Sequence, residues 1–281
     1  MGIDDRFHGL STLIRVVSTT LETSGSGFFY EKLGKPWEEH PDVRDIEGTW
    51  VVTNRHVLLP RIGGKEFVPE SFTFNLRKIE NGVIVWDPIT LDKDELLKRA
   101  KLHPNKNVDV AVVDIQDLLN KRGENKVDIR WHAVSKDDLP QNNRSTIEVS
   151  DDIVAIGYPR GFYDEVNVFP IVKSGTIASR WGSNFNGKPY FLIDAKLFPG
   201  SSGSIVLTKP KDVYVKDGKL QHTDEKKFSF LGIYSGEPFL KEPPIESDEM
   251  TIILKPTFNV GIVWYGYLVE EILEKGVGLS V

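Results

Sequence analysis

The chain has 281 residues, with 35 Lys and Arg against 41 Asp and Glu, a formal charge of −6. A hydrophobic share of 40% beside a charged share of 27% excludes a mainly disordered chain, since enough apolar surface is present to offset the entropy of ordering. The acidic balance argues against broad binding to nucleic-acid phosphates, and no run reaches the ~18 apolar residues of a membrane-spanning helix.

At about 150 residues per domain, the length fits two domains or one large all-β unit. The opening MGIDDRFHGL carries acidic residues and no apolar stretch, so no secretory signal is expected. Arg6 stands where N-myristoylation wants Ser or Thr. There is no cysteine, which points to a reducing compartment or to indifference to redox state, so the expected location is the cytoplasm. Along the chain, short runs rich in Val, Ile, Phe and Thr predict strands over residues 12–18, 27–30, 49–53, 71–76, 83–86, 110–115, 153–158, 166–172, 190–193, 204–207, 229–234 and 258–264. Helical patterns are few: DKDELLKRAKL at 92–102, with Asp92 as cap, and LVEEILEK at 268–275, stopped by Gly276. Asp217-Gly218 signals a two-residue hairpin. Residues 31–47, 135–145 and 237–249 read as surface loops, the last rich in proline and carboxylates. Strand–helix alternation is missing, so a sandwich or barrels are expected rather than a parallel sheet.

Three segments carry chemistry. FPGSSGSI at 198–205 sets two glycines around a serine pair. Glycine permits positive φ and close approach, so this is either a plain turn or one that exposes a hydroxyl and aims N–H groups at a common point. TWVVTNRHVL at 49–58 delivers His56 at the end of an apolar strand, a position that also suits a structural histidine. NVDVAVVDI at 107–115 places Asp109 beside a buried-looking run, where it either faces water or is paired. Taken together they supply a hydroxyl, a base to activate it and a carboxylate to set the tautomer of that base, in the order His56, Asp109, Ser202.

TNRHV, VDVAVV and GSSGS resemble the histidine, aspartate and serine boxes of chymotrypsin-fold (trypsin-like) serine proteases. The finer similarity is to the bacterial high-temperature-requirement (Deg-type) branch. GSGFFY at 25–30, HPNKNVDVAVVDI at 103–115, IVKSGTIAS at 171–179 and LIDAKLFPGSSGS at 192–204 carry it, and the likeness runs from about residue 11 to 275. The resemblance implies an all-β fold of two six-stranded antiparallel barrels, residues 11–131 and 146–265, followed by the helix 268–275. The site would lie in the cleft between them. It implies a serine endopeptidase acting on proteins or peptides without metal or cofactor. Ser202 would be the nucleophile, His56 the general base and then acid, and Asp109 its orienter. Backbone N–H groups of Gly200 and Ser202 would form the oxyanion site. Lys196, Leu197, Phe198, Ser235, Gly236, Glu237 and Gly261 would line the substrate pocket, and the Deg-type default is a small aliphatic residue there.

The match has departures. Ser201 replaces the acidic residue that pairs with a new N-terminus in secreted trypsins, so zymogen cleavage is not expected to control activity. Deg-type relatives continue into a PDZ domain, and none is expected here. Ser204 stands where the serine box has its second glycine. This substitution and the three long loops motivate an alternative: a catalytically silent binding or scaffold protein on the same fold.

Overall fold

A computed structural model describes residues 3–40, 43–140, 146–216, 219–238, 245–247, 250–252 and 259–279. Helix α1 (Ile3–Leu10) leads into strands β1 (Ser11–Ser18), β2 (Leu21–Pro36) and β3 (Arg44–Thr53). A short helix α2 (Arg55–Leu58) follows, then β4 (Ser71–Glu80), β5 (Val83–Asp92), α3 (Lys93–Arg99), β6 (Ala100–Leu102), β7 (Ala111–Asp114) and α4 (Gln116–Glu124). The second half contributes β8 (Asp152–Gly157), β9 (Ile171–Ile177), β10 (Tyr190–Asp194), β11 (Ile205–Thr208), β12 (Phe230–Gly236), β13 (Val260–Tyr265) and α5 (Tyr267–Lys275).

The apolar runs FFY, VV and VAVV lack a polar face because their sheet is covered on both sides. Phe28, Tyr30, Val52, Val110 and Val112 point into the core shared with the second half. Their neighbours Phe29, Val51, Ala111 and Val113 point into a separate core with Ile14, Phe72, Phe74 and Leu96. This is the period-two alternation of strands, with both sets of positions buried. Helix α5 returns to this sheet: the Tyr30 hydroxyl donates to Glu270 at 2.5 Å, and His103 Nε2 meets Glu271 at 3.0 Å.

Strands β8-β9-β10-β13-β12-β11 close into a six-stranded barrel, as expected for the second half. The barrel expected for the first half is not shown. The N-terminal strands belong to a ten-stranded sheet running Ile129–Arg130, β4, β1, β2, β3, β7, β6, Val277–Gly278, with β5 on β4 and Val134–Ser135 on β2. The chain changes character between β5 and β6. There the chain turns helical: Asp92 accepts a hydrogen bond from the Glu95 N–H at 2.9 Å, and DELLKR is composed of good helix formers. Helix α3 lies against β5 and Val277–Gly278 and drives Leu96 into the core. The outer edge of β6 is meanwhile taken by Val277–Gly278.

Helices α1 and α4 were not anticipated, and the capped helix after Asp92 ends at Arg99. The expected loop at 31–47 is largely a hairpin extension, with Glu31 opposite Thr49 and Pro36 opposite Arg44. Pro36 marks the end of pairing rather than preventing it. The strand expected at 166–172 begins only at Ile171. Asp217-Gly218 lies outside the described residues, although the flanking strands pair with Lys216 opposite Lys219. Phe258 and parts of the loops at 135–145 and 237–249 also lie outside them. No described helix is long and apolar enough to cross a membrane.

Candidate active site

Strand β3 ends at Thr53, and Asn54 starts α2, its carbonyl accepting from the N–H groups of Val57 and Leu58, both at 3.1 Å. This turn carries His56 across to Asp109, just ahead of β7. His56 Nδ1 lies 2.7 Å from Asp109 Oδ2, and the His56 backbone N–H donates to Oδ1 at 2.9 Å. Asn54 Nδ2 donates to the Asp109 carbonyl at 2.7 Å. The imidazole side chain is 41% exposed and the carboxylate 22%, so the base is open to a substrate while its partner is shielded. A carboxylate on Nδ1 holds the proton there and leaves Nε2 as the acceptor.

Behind His56, Arg55 is buried and clasps Glu66, with Nη2 at 2.7 Å and Nε at 3.1 Å, while Arg61 Nη2 reaches the same carboxylate at 2.9 Å. The Arg55 hydrogen bonds, working against desolvation and helped by Arg61, pull the Glu66 pKa from 4.5 to about 2. A carboxylate with a depressed folded pKa contributes stability above its unfolded pKa and loses it as pH falls through the folded value. Discounted for partial exposure, the contribution is about 1–3 kcal/mol. Glu66→Gln should be less stable by that amount at pH 7 in urea unfolding, and the gap should close as pH approaches 2. A gap constant across this window would contradict the linkage.

Ser202 sits in the turn between β10 and β11. Gly200 (φ +88°) and Gly203 (φ +87°) take left-handed backbone that glycine tolerates and other residues resist. A Cβ on Gly203 would lie 1.9 Å from the Ser26 carbonyl, and one on Gly200 would lie 2.5 Å from the Arg160 nitrogen. The peptide groups of the turn can be assigned one by one. The Pro199 carbonyl accepts from the Arg160 N–H (2.7 Å), the Gly200 carbonyl from the Ser26 hydroxyl (3.0 Å) and the Ser202 carbonyl from the Ser26 N–H (2.8 Å). The N–H of Ser201 goes to Phe198 O, that of Gly203 to Tyr234 O and that of Ser204 to Ser201 O. The N–H groups of Gly200 and Ser202 donate to no described residue. Among the described residues the turn thus gives no acceptor to the two donors that the resemblance implies for an oxyanion.

The Ser202 hydroxyl donates to the Ser235 carbonyl at 3.1 Å, and the Ser235 hydroxyl donates to Asp109 Oδ2 at 2.5 Å. Ser235 therefore links the serine to the Asp109–His56 pair. His56 Nε2 makes no hydrogen bond to a described residue. Ser235 is one of the expected pocket residues, and its hydroxyl also bonds Asp109. Of the other expected pocket residues, Leu197 is buried in the barrel core. Lys196 lies against the partly exposed Phe198 ring, with Nζ 5.9 Å from its centroid. Gly261 is backed by Tyr234: a Cβ there would fall 2.6 Å from that ring. Gly236 (φ +141°) and Glu237 follow Ser235, both partly exposed.

Ser26 was missed. It is fully buried, its hydroxyl accepts from the Tyr158 N–H at 2.9 Å, and its carbonyl accepts from the Thr53 hydroxyl at 2.8 Å. Its one sequence signal is the pair of glycines around it, which mark close backbone approach. Ser204 is buried, with Oγ where a Cβ on Gly157 would lie, at 1.9 Å. The missing side chain of Gly157 makes room for the serine that replaces the expected glycine.

Residues 25–214 match the family model described as the trypsin-like peptidase domain. No curated protein matches. Among solved structures, the chain is similar to the active form of the Rv3671c protease from M. tuberculosis, at 15% identity over 98% of this chain and 83% of that one, with a TM-score of 0.42. It is also similar to the thermostable serine protease AL20 from an extremophilic microorganism, at 11% identity over 94% and 95%, TM-score 0.44. A third similar structure is the scabies mite inactivated protease paralogue S-I1, at 11% identity over 97% and 98%, TM-score 0.49.

Proposed function

Because the chain belongs to the trypsin-like peptidase domain family, we propose that it is a serine endopeptidase in which Ser202, His56 and Asp109 cleave peptide bonds through an acyl-enzyme. The observation that carries this reading is the paired Asp109–His56 unit together with a Ser202 turn whose Gly200 and Ser202 N–H groups donate to no described residue.

The proposed reaction begins with the Ser202 hydroxyl leaving the Ser235 carbonyl for His56 Nε2. As Oγ attacks the substrate carbonyl carbon, its proton passes to Nε2. The Asp109 carboxylate stabilises the resulting imidazolium. The carbonyl π pair becomes an oxyanion that accepts from the N–H groups of Gly200 and Ser202. Collapse breaks the C–N bond, and Nε2 gives its proton to the leaving amine. Water, deprotonated by the same nitrogen, attacks the acyl-enzyme, and the acid leaves as Oγ recovers a proton. Positioned proton transfer contributes ~10²–10⁴-fold, and one oxyanion donor roughly 10²–10³-fold. No step needs a metal or cofactor.

Tyr234 behind Gly261 supports a shallow pocket and hence a small side chain ahead of the cleaved bond, in line with the Deg-type likeness. The absence of cysteine supports work in the cytoplasm. A fluorophosphonate probe should attach to one tryptic peptide, the one that contains Ser202. Attachment at another serine, or none with folded protein, would refute the assignment.

A further inference from the structure

Segment 158–170 leaves β8 and crosses to the N-terminal sheet. Two of its residues other than glycine take left-handed backbone, Arg160 (φ +53°) and Val168 (φ +54°). For the β-branched valine this is a true outlier, and it persists only where the surroundings impose it. Arg77 of β4, 3% exposed, is the group that meets it. Arg77 Nε donates to the Val168 carbonyl at 2.9 Å, and Nη2 donates to the Tyr158 hydroxyl at 2.7 Å and the Ser11 carbonyl at 3.3 Å. Its Cζ lies 5.1 Å from the centre of the Trp86 ring. Among the described residues no carboxylate pairs with it. A guanidinium buried without a counter-ion is costly, so its fixed position calls for a reason. Two of its three hydrogen-bond partners belong to this one segment.

The same segment reaches the catalytic turn. The Arg160 N–H donates to the Pro199 carbonyl at 2.7 Å. In a trans peptide the C=O and N–H point opposite ways, so this bond turns the Gly200 N–H away from Arg160 and keeps it free. We propose that Arg77 is a positioning residue for the oxyanion donor of Gly200, acting through segment 158–170. Arg77 pins the carbonyl of Val168 and the ring of Tyr158. Between these anchors Arg160 is held at Pro199. Without the guanidinium the left-handed residues relax, the segment shifts, and the Gly200 peptide loses the bond that orients it. This inference rests on the peptidase reading of Ser202.

The test compares wild type, Arg77→Met and Arg77→Lys as full chains on one peptide substrate, with folding checked by near-ultraviolet circular dichroism. Arg77→Met should lower kcat at least ~10-fold with KM within ~3-fold, because the donor matters most in the transition state. Affinity for a peptide aldehyde should fall by the same factor as kcat/KM, while affinity for the product peptide stays unchanged. Arg77→Lys, which keeps the charge but loses the fork, should fall between. Unchanged kcat in either folded variant would overturn the inference and leave the peptidase reading intact. So would a loss that only tracks the unfolded fraction. A wild type with no turnover would overturn the reading and the inference together.

Discussion

Ser202→Ala should lower the rate of peptide hydrolysis by about 10⁴–10⁶-fold while leaving the fold and KM nearly unchanged. Among the described residues the hydroxyl makes a single hydrogen bond, to the Ser235 carbonyl. Removing it therefore leaves one partly exposed acceptor unpaired, which is a small cost in stability. The residual rate should reflect the two free N–H donors and substrate binding. Measured kcat on one peptide, with urea unfolding run beside it, separates these effects. A variant that keeps more than about a tenth of wild-type turnover would mean that another group attacks.

Asp109→Asn should be the next most damaging change, at about 10⁴-fold in kcat. The carboxylate accepts three hydrogen bonds: from His56 Nδ1–H, the His56 backbone N–H and the Ser235 hydroxyl. An asparagine has one acceptor oxygen and an NH₂ group that only donates. If the oxygen keeps the backbone N–H, the NH₂ faces Nδ1, which must then accept, and the ring proton moves to Nε2. The imidazole can no longer take a proton from Ser202. It should regain activity at high pH if hydroxide replaces the missing base. An asparagine variant with wild-type kcat at neutral pH would remove Asp109 from the chemistry.

The candidate side chains His56, Asp109 and Ser202 could be nominated because each lies close to one end of an apolar strand, β3, β7 or β11. Gly200 and Gly203 were legible for a related reason, since a turn that needs positive φ twice has few residues to choose from. Closure of the first half was not legible, because strand count says nothing about it. The pairing of Val277–Gly278 with the edge of β6 has no local sequence signal either. Ser26 and Arg77 were illegible for a different reason. Their hydrogen bonds reach backbone groups 174 and 91 residues away, at Gly200 and Val168. Backbone acceptors have no residue-type signature, so no motif announces them. Ser235 was seen as a neighbour of the site but its bond to Asp109 was not, because position along β12 does not tell which way a hydroxyl turns.

The most direct test is a crystal structure of the protein soaked with a peptide boronic acid. A boron–oxygen bond to Ser202 Oγ, one boronate oxygen about 2.7–3.1 Å from both the Gly200 and Ser202 nitrogens, and Ser202 Oγ released from the Ser235 carbonyl are predicted. A boronate held elsewhere, with the Ser202 hydroxyl still donating to Ser235, would contradict the account.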